Sequence, residues 1–193
     1  RPAGRLRPGS RIEFGSTTAV LVGACPEGTR LLRFPAGTAP EQLGETPLPP
    51  YIREPLQDPE RYQTVYAREP GSAAAPTAGL HFTPSLLSSL EAKGVEAVSL
   101  TLHIGLDTFR PVRQEDPREH GIHKEFYHLD AAAAARLSAA AQAEKRLVCV
   151  GTTSVRALED AARRSLSRGV FEPYAGPTGL YILPGFSFLA VGA

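Results

Sequence analysis

The sequence predicts an α/β protein: a three-layer α/β domain with a mostly parallel sheet, joined to a small antiparallel β segment. Three observations carry this expectation. From about residue 60 onward, β-rich runs alternate with helical patterns. Leu147–Val150 is a short, continuous apolar run, the pattern of a strand buried on both faces. The first 46 residues hold short β-rich runs and turn chemistry.

In chain order, Arg11–Phe14, Thr17–Ala24 and Arg30–Phe34 read as strands, separated by Gly15-Ser16 and Pro26-Glu27-Gly28. Three strands are too few to close a barrel. Residues 47–59 contain five prolines, which lack the donor that a helix or central strand needs, so this stretch reads as an extended connector and a domain boundary. Arg61–Ala67 alternates like a strand. Thr83-Pro84 opens a helix carrying Leu86, Leu87 and Leu90, which stops at Gly94. Val95–Ile104 reads as a strand. Asp130 caps an Ala-rich helix running to about Lys145. Ser154 to Arg168 reads as a helix closed by Gly169, and Leu180–Leu183 as a last strand.

Composition narrows the class. With 193 residues, 42% hydrophobic and 21% charged, the chain can bury a core as one large domain or two small ones. No apolar run is long enough for a membrane span, so no membrane partner is expected. The balance of 21 basic and 20 acidic residues argues against gripping nucleic acid by bulk charge, though a local basic patch stays open. Only Lys93, Lys124 and Lys145 are lysines; the Arg excess reads as compositional bias. The chain starts at Arg1 and has no Met, so it is expected to be a fragment or a processed chain. Cys25 and Cys149 lack the spacing of a disulfide framework or a zinc site, and a reducing, cytoplasmic setting fits.

Four segments carry candidate chemistry. In Val148–Arg156 an apolar run ends in Gly151, and Thr152, Thr153 and Ser154 open a helix. Helix N-termini offer unpaired amides and partial positive charge, and Arg156 adds a guanidinium fork, so an anion site is expected; a plain capping sequence is the alternative. Gly71–Thr83 is a loop of small residues, with Pro76, Thr77 and Gly79, that would let a flat ligand lie on backbone; His81 just before the helix would titrate near neutral pH. A flexible linker is its bland counterpart. His103 ends a strand before a Gly-containing turn. His120–His128 invites a metal reading, but its spacing is not that of a zinc helix, so no metal is expected. One His–Glu pair doing acid–base or hydrogen-bonding work, or simple surface histidines, are the two readings left. Together these residues imply a site for a polar anionic small molecule, with the reaction open.

Leu48–Ile52, Arg61–Ala67, Ala75–Thr83 and Gly151–Arg156, in this order, resemble the S-adenosylmethionine:tRNA ribosyltransferase-isomerase family of queuosine biosynthesis, across nearly the whole chain. The resemblance implies that residues 1–46 belong to a small β-barrel domain, that 47–59 is the connector, and that 60–193 is an incomplete α/β catalytic domain. Asp107, Gly121-Ile122 and Gly179 depart from the family's usual residues. The implied reaction moves the ribosyl part of S-adenosylmethionine onto a 7-aminomethyl-7-deazaguanine at the tRNA wobble position and isomerises it, giving epoxyqueuosine and releasing adenine and methionine. S-adenosylmethionine is then a cosubstrate; no permanently bound cofactor and no metal are implied, and a monomer is expected. On this resemblance Thr152, Thr153, Ser154 and Arg156 hold a carboxylate or phosphate. Ala75–Phe82, including Pro76, Thr77 and Gly79, flank the adenosine or the extruded base. His81, His103 and His123 are the proton-transfer candidates, Glu125 orients a neighbouring His, and Tyr51, Tyr62 and Tyr66 are stacking candidates. A non-catalytic tRNA-binding module is the alternative, which the near-zero net charge disfavours.

Overall fold

The structure is a computed structural model that describes residues 6–25, 29–49, 52–105, 115–116, 118, 122, 124–165 and 169–192. The chain divides into two compact units, Arg1–Thr46 and Pro47–Ala193.

The first unit is an antiparallel meander of β1 (Arg11–Phe14), β2 (Thr17–Ala24) and β3 (Arg30–Arg33), in the order β1-β2-β3. Gly15, at φ +56°, makes the first turn, and a register shift between Leu21 and Gly23 bends the β2–β3 pairing. Period-2 patterning sets the faces: Ala19 and Leu21 are buried while Val20 and Val22 are exposed. Phe14 and Phe34 meet with ring centroids 5.3 Å apart. Among the described residues this sheet is open.

The second unit contains α1 (Pro84–Ala92), β4 (Thr101–His103), β5 (Glu125–Leu129), α2 (Ala131–Gln142), α3 (Thr152–Arg164) and β6 (Tyr174–Thr178). The helix starts follow from their caps. Thr83 accepts from the Leu86 amide at 3.1 Å, and Asp130 accepts from the Ala133 amide at 2.7 Å. Gly94, at φ +80°, closes α1 by donating to the Glu91 carbonyl. The core is Tyr127 and Leu129 from β5, Ala133, Ala134 and Leu137 from α2, Ala157, Leu158 and Ala161 from α3, and Phe171. The alanines let α2 and α3 approach the sheet closely. The opposite sheet face carries Phe126, His128, Ala175 and Pro177, all exposed. The sheet and the two helices α2 and α3 therefore form two layers among the described residues.

This corrects the expected parallel, three-layer sheet: β4 pairs with β5, and β5 with β6, both antiparallel. Strand–helix alternation suggested parallel crossovers, but two helices separate β5 from β6, and the chain returns in the opposite sense. Leu147–Val150 is not a strand. Val148 is 69% exposed, and the Leu147 carbonyl accepts from the Gly192 amide at 3.2 Å instead of from a ladder. Arg61–Ala67 is not a strand either. Asp58 accepts from the Glu60 amide and Pro59 presets φ, so a 3-10 helix forms over Pro59–Tyr62. The alternation still reports burial, since Tyr62 and Thr64 point inward while Arg61, Gln63 and Val65 are exposed. Val95–Ile104 shrinks to Thr101–His103. The last strand is Tyr174–Thr178 and not Leu180–Leu183; it tolerates Pro177 because β6 lies at the sheet's edge among the described residues.

Candidate functional site

The small-residue loop and the start of α3 meet. Gly151 opens the helix at φ +97° and ψ 146°, with no side-chain capping bond of its own. A Cβ built there would lie 3.6 Å from the Ala78 Cβ and 3.6 Å from Thr153 Oγ1. Ala78 sits in a 3-10 helix, Thr77–Gly79, with Pro76 at its N-cap; the Gly79 amide donates to the Pro76 carbonyl at 2.8 Å. Thr77 and Thr152 are exposed, and Gly79 is buried. Pro76, Thr77, Gly79, Thr152 and Thr153 are thereby gathered around one contact.

Tyr66 explains why residue 79 is glycine. A Cβ at that position would stand 1.9 Å from the Tyr66 hydroxyl and 3.1 Å from Thr64 Cγ2. Burial raises the Tyr66 phenol above its usual 10.0, against an opposing effect of the Thr64 side chain. Tyr66 also meets Phe82 edge-on at 6.3 Å, and Phe82 lies 4.2 Å from the exposed His81 ring. Tyr62 is 8% exposed.

Arg156 and Glu125 form a pair. Arg156 Nη1 donates to Glu125 Oε2 at 2.5 Å, each side chain 12% exposed. The same guanidinium donates from Nε to the Leu180 carbonyl at 2.8 Å and from Nη2 to the Thr178 carbonyl at 3.2 Å. The fork is thus engaged by the sheet edge, and Glu125 is engaged by Arg156. Ser154 Oγ donates back to the Val150 carbonyl at 3.0 Å. His103 ends β4 opposite Phe126, ring centroids 6.4 Å apart. His123, His120, Asp107, Gly121 and Tyr51 lie outside the described residues. Among the described residues no three His, Cys, Asp or Glu side chains are grouped as a metal site would need, and no helix is long and apolar enough to cross a membrane.

Sequence reasoning missed two carboxylates on α3. Glu159 is fully buried and accepts from the amides of Leu189, Ala190 and Val191, at 2.9 Å for the nearest contact of each. Arg163 donates to it at 2.5 Å and also reaches the Ser187 carbonyl. Asp160 accepts from Tyr127 Oη at 2.8 Å, Thr178 Oγ1 at 2.9 Å and Arg164 Nε at 2.6 Å. That phenol is pushed well above its ordinary value, first by burial and then by Asp160. The available signal was the pair of i, i+4 acid–Arg spacings, which equally describes a solvated helix face. Cys149 is raised to about 11 by burial and by Glu159, so it stays a thiol at neutral pH.

The fold and this loop cluster place the chain among α/β proteins in which a glycine-opened helix N-terminus faces a small-residue loop. More specifically, the chain belongs to the queuosine biosynthesis protein family, whose model matches residues 1–193. It is 52% identical to the S-adenosylmethionine:tRNA ribosyltransferase-isomerase of Symbiobacterium thermophilum, with all of this chain and 58% of that protein covered. Proteins of the same name from Natranaerobius thermophilus and Desulfitobacterium hafniense are 46% and 49% identical, covering 100% and 97% of this chain and 57% and 56% of their own lengths. The chain therefore spans a little over half the length of these relatives.

Proposed function

We propose that this chain works in an S-adenosylmethionine:tRNA ribosyltransferase-isomerase. It transfers and isomerises the ribosyl moiety of S-adenosylmethionine onto a 7-aminomethyl-7-deazaguanine wobble base, yielding epoxyqueuosine-tRNA, adenine and methionine. The observation that carries this reading is the approach of Gly151 to Ala78, where a Cβ on residue 151 would fall 3.6 Å from that of Ala78; it brings two of the four motifs together in a chain whose relatives bear that enzyme's name. In this reading residues 1–46 are part of a small β-barrel domain, 47–59 is a connector and 60–193 forms the α/β catalytic domain. The protein acts as a cytoplasmic monomer on tRNA, with no resident cofactor and no metal.

The chemistry follows from the cosubstrate. The sulfonium acidifies C5′, so removal of a proton there starts adenine loss; the base amine then attacks, and methionine leaves as the epoxide closes. The protein supplies position, a base and electrostatics. The amides opening α3, with the Thr152 and Thr153 hydroxyls, hold the methionine carboxylate or a tRNA phosphate. Ser154 and Arg156 complete that turn, the Arg156–Glu125 pair fixing it to β5. Pro76, Thr77 and Gly79 flank the adenosine or the extruded base, and an anticodon base is easier to extrude because its loop is single-stranded. His81, His103 and His123 are the proton-transfer groups.

The test is adenine release. The protein as the cell makes it, given S-adenosylmethionine and precursor tRNA, should release adenine in proportion to modified tRNA, and none without either substrate. Release of no adenine under those conditions refutes the reading.

A further inference from the structure

We infer that Gly71 and Ser72 are positioning residues that fix the imidazole of His103. The inference rests on the reading of His103 as a proton-transfer group. Ser72 Oγ donates to the Leu102 carbonyl at 3.0 Å and accepts from the Ile104 amide at 3.1 Å, so one hydroxyl clasps the backbone on both sides of His103. A hydroxyl is suited to this double duty because it is donor and acceptor at once. The Ala73 amide continues the docking by donating to the Ile104 carbonyl at 2.9 Å. Residues 71–73 thus run along the end of β4, where the strand's own pairing to β5 stops at His103.

Gly71 meets the ring itself. Its φ is +134°, a conformation L side chains rarely adopt, and a Cβ there would stand 2.9 Å from His103 Nδ1 and 3.1 Å from Cε1. The third nearest atom is Cγ at 3.9 Å, so Nε2 lies on the side of the ring away from Gly71. Phe126 stands beside the ring on the neighbouring strand. Backbone clasped by Ser72, ring edge walled by Gly71 and flank set by Phe126 together limit the imidazole to a narrow range, with Nε2 as the nitrogen presented for proton exchange. A general base needs this kind of fixed reach to its proton. The stretch Gly71-Ser72 therefore holds the base, while the stretch from Pro76 to Gly79 faces the start of α3.

The test uses the protein as the cell makes it, with ¹⁵N-labelled histidine, and follows His103 resonances through a pH titration alongside adenine release. Ser72→Ala and Gly71→Ala should each move the His103 resonances. They should lower kcat about tenfold or more while leaving KM for S-adenosylmethionine nearly unchanged, a small part of the roughly 10²–10⁴ that a positioned base supplies. Ser72→Thr keeps the hydroxyl and should restore most of kcat. If Gly71→Ala fails to fold, the Ser72→Ala and Ser72→Thr pair decides alone. Unmoved His103 resonances with unchanged kcat in Ser72→Ala overturn the inference. His103→Ala separates the two readings: full activity in that variant refutes His103 as a base, whereas the resonance shifts report on positioning regardless.

Discussion

Gly151 faces Ala78 so closely that a Cβ at position 151 would fall 3.6 Å from that of Ala78, at a backbone φ of +97°. The helix that opens at Thr152 and the loop that ends at Thr83 are distant in sequence and adjacent in space because both present their smallest residues. Gly151→Ala should cost about 1–3 kcal/mol, the range for an L residue forced into a region nearly confined to glycine. Urea unfolding checks this, and S-adenosylmethionine binding by calorimetry should weaken in parallel. Unchanged stability would contradict the backbone conformation at the turn.

Gly79 and Tyr66 should behave as a coupled pair. Gly79→Ala places a methyl 1.9 Å from the phenol oxygen and should cost roughly 1–3 kcal/mol by overpacking. Tyr66→Phe removes that oxygen, so the double variant should recover part of the loss, leaving approaches of 3.0 Å to the ring carbon Cζ and 3.1 Å to Thr64 Cγ2. Additive losses in a double-mutant cycle would show that the two residues do not meet.

Arg156→Ala should destabilise the fold as well as the site. It strips Glu125 of its partner at a place where both side chains are 12% exposed, and breaking such a pair from one side costs roughly 3–5 kcal/mol. Replacing both residues by apolar ones of similar size should cost less. Thermal melts of the single and double variants check this, and equal stability of Arg156→Ala and the unaltered chain would refute the pairing.

Legibility in the sequence followed the range of the interactions. Thr83, Asp130 and Gly94 act within one helical turn of themselves, so their caps were readable from spacing alone. Gly15-Ser16 and the β-rich runs on either side of it likewise placed β1 and β2. Leu147–Val150 misled because an apolar run reports burial only if a neighbour covers it, and Val148 is largely exposed. Tyr62 and Thr64 alternate inward without a ladder, since Asp58 and Pro59 divert the backbone into a 3-10 helix. At the site, Gly151 and the loop from Pro76 to Gly79 were readable as small residues, but their contact was not. The engagement of Arg156 by Glu125 and two carbonyls depends on β5 and β6 pairing, which no local pattern encodes.

Glu159 should govern the acid limb of stability. Burial would raise its carboxyl, but the amides of Leu189, Val191 and Ala190 and the Arg163 guanidinium outweigh that and hold it below its ordinary 4.5. The unfolded chain then binds more protons as pH falls below about 4.5, so the contribution is complete above that pH and is lost as pH drops through the lower folded value. Glu159→Gln should lower stability at neutral pH by about 1.5–3 kcal/mol, the range for hydrogen bonds to a charged group, and should flatten the acid dependence. Hydrogen exchange at Leu189, Ala190 and Val191 should accelerate. Unfolding curves at pH 3 and pH 7 that match those of the unaltered chain would contradict the role of the carboxylate.

Isotope placement tests ribosyl transfer most directly. The protein as the cell makes it is incubated with precursor tRNA and S-adenosylmethionine labelled with ¹³C throughout the ribose, and the tRNA is digested to nucleosides for mass spectrometry. All five labelled carbons should appear in the wobble nucleoside, with one unlabelled adenine and one unlabelled methionine released per labelled nucleoside. Label confined to S-adenosylmethionine, or a wobble nucleoside that gains only an unlabelled methyl group, would contradict the assignment.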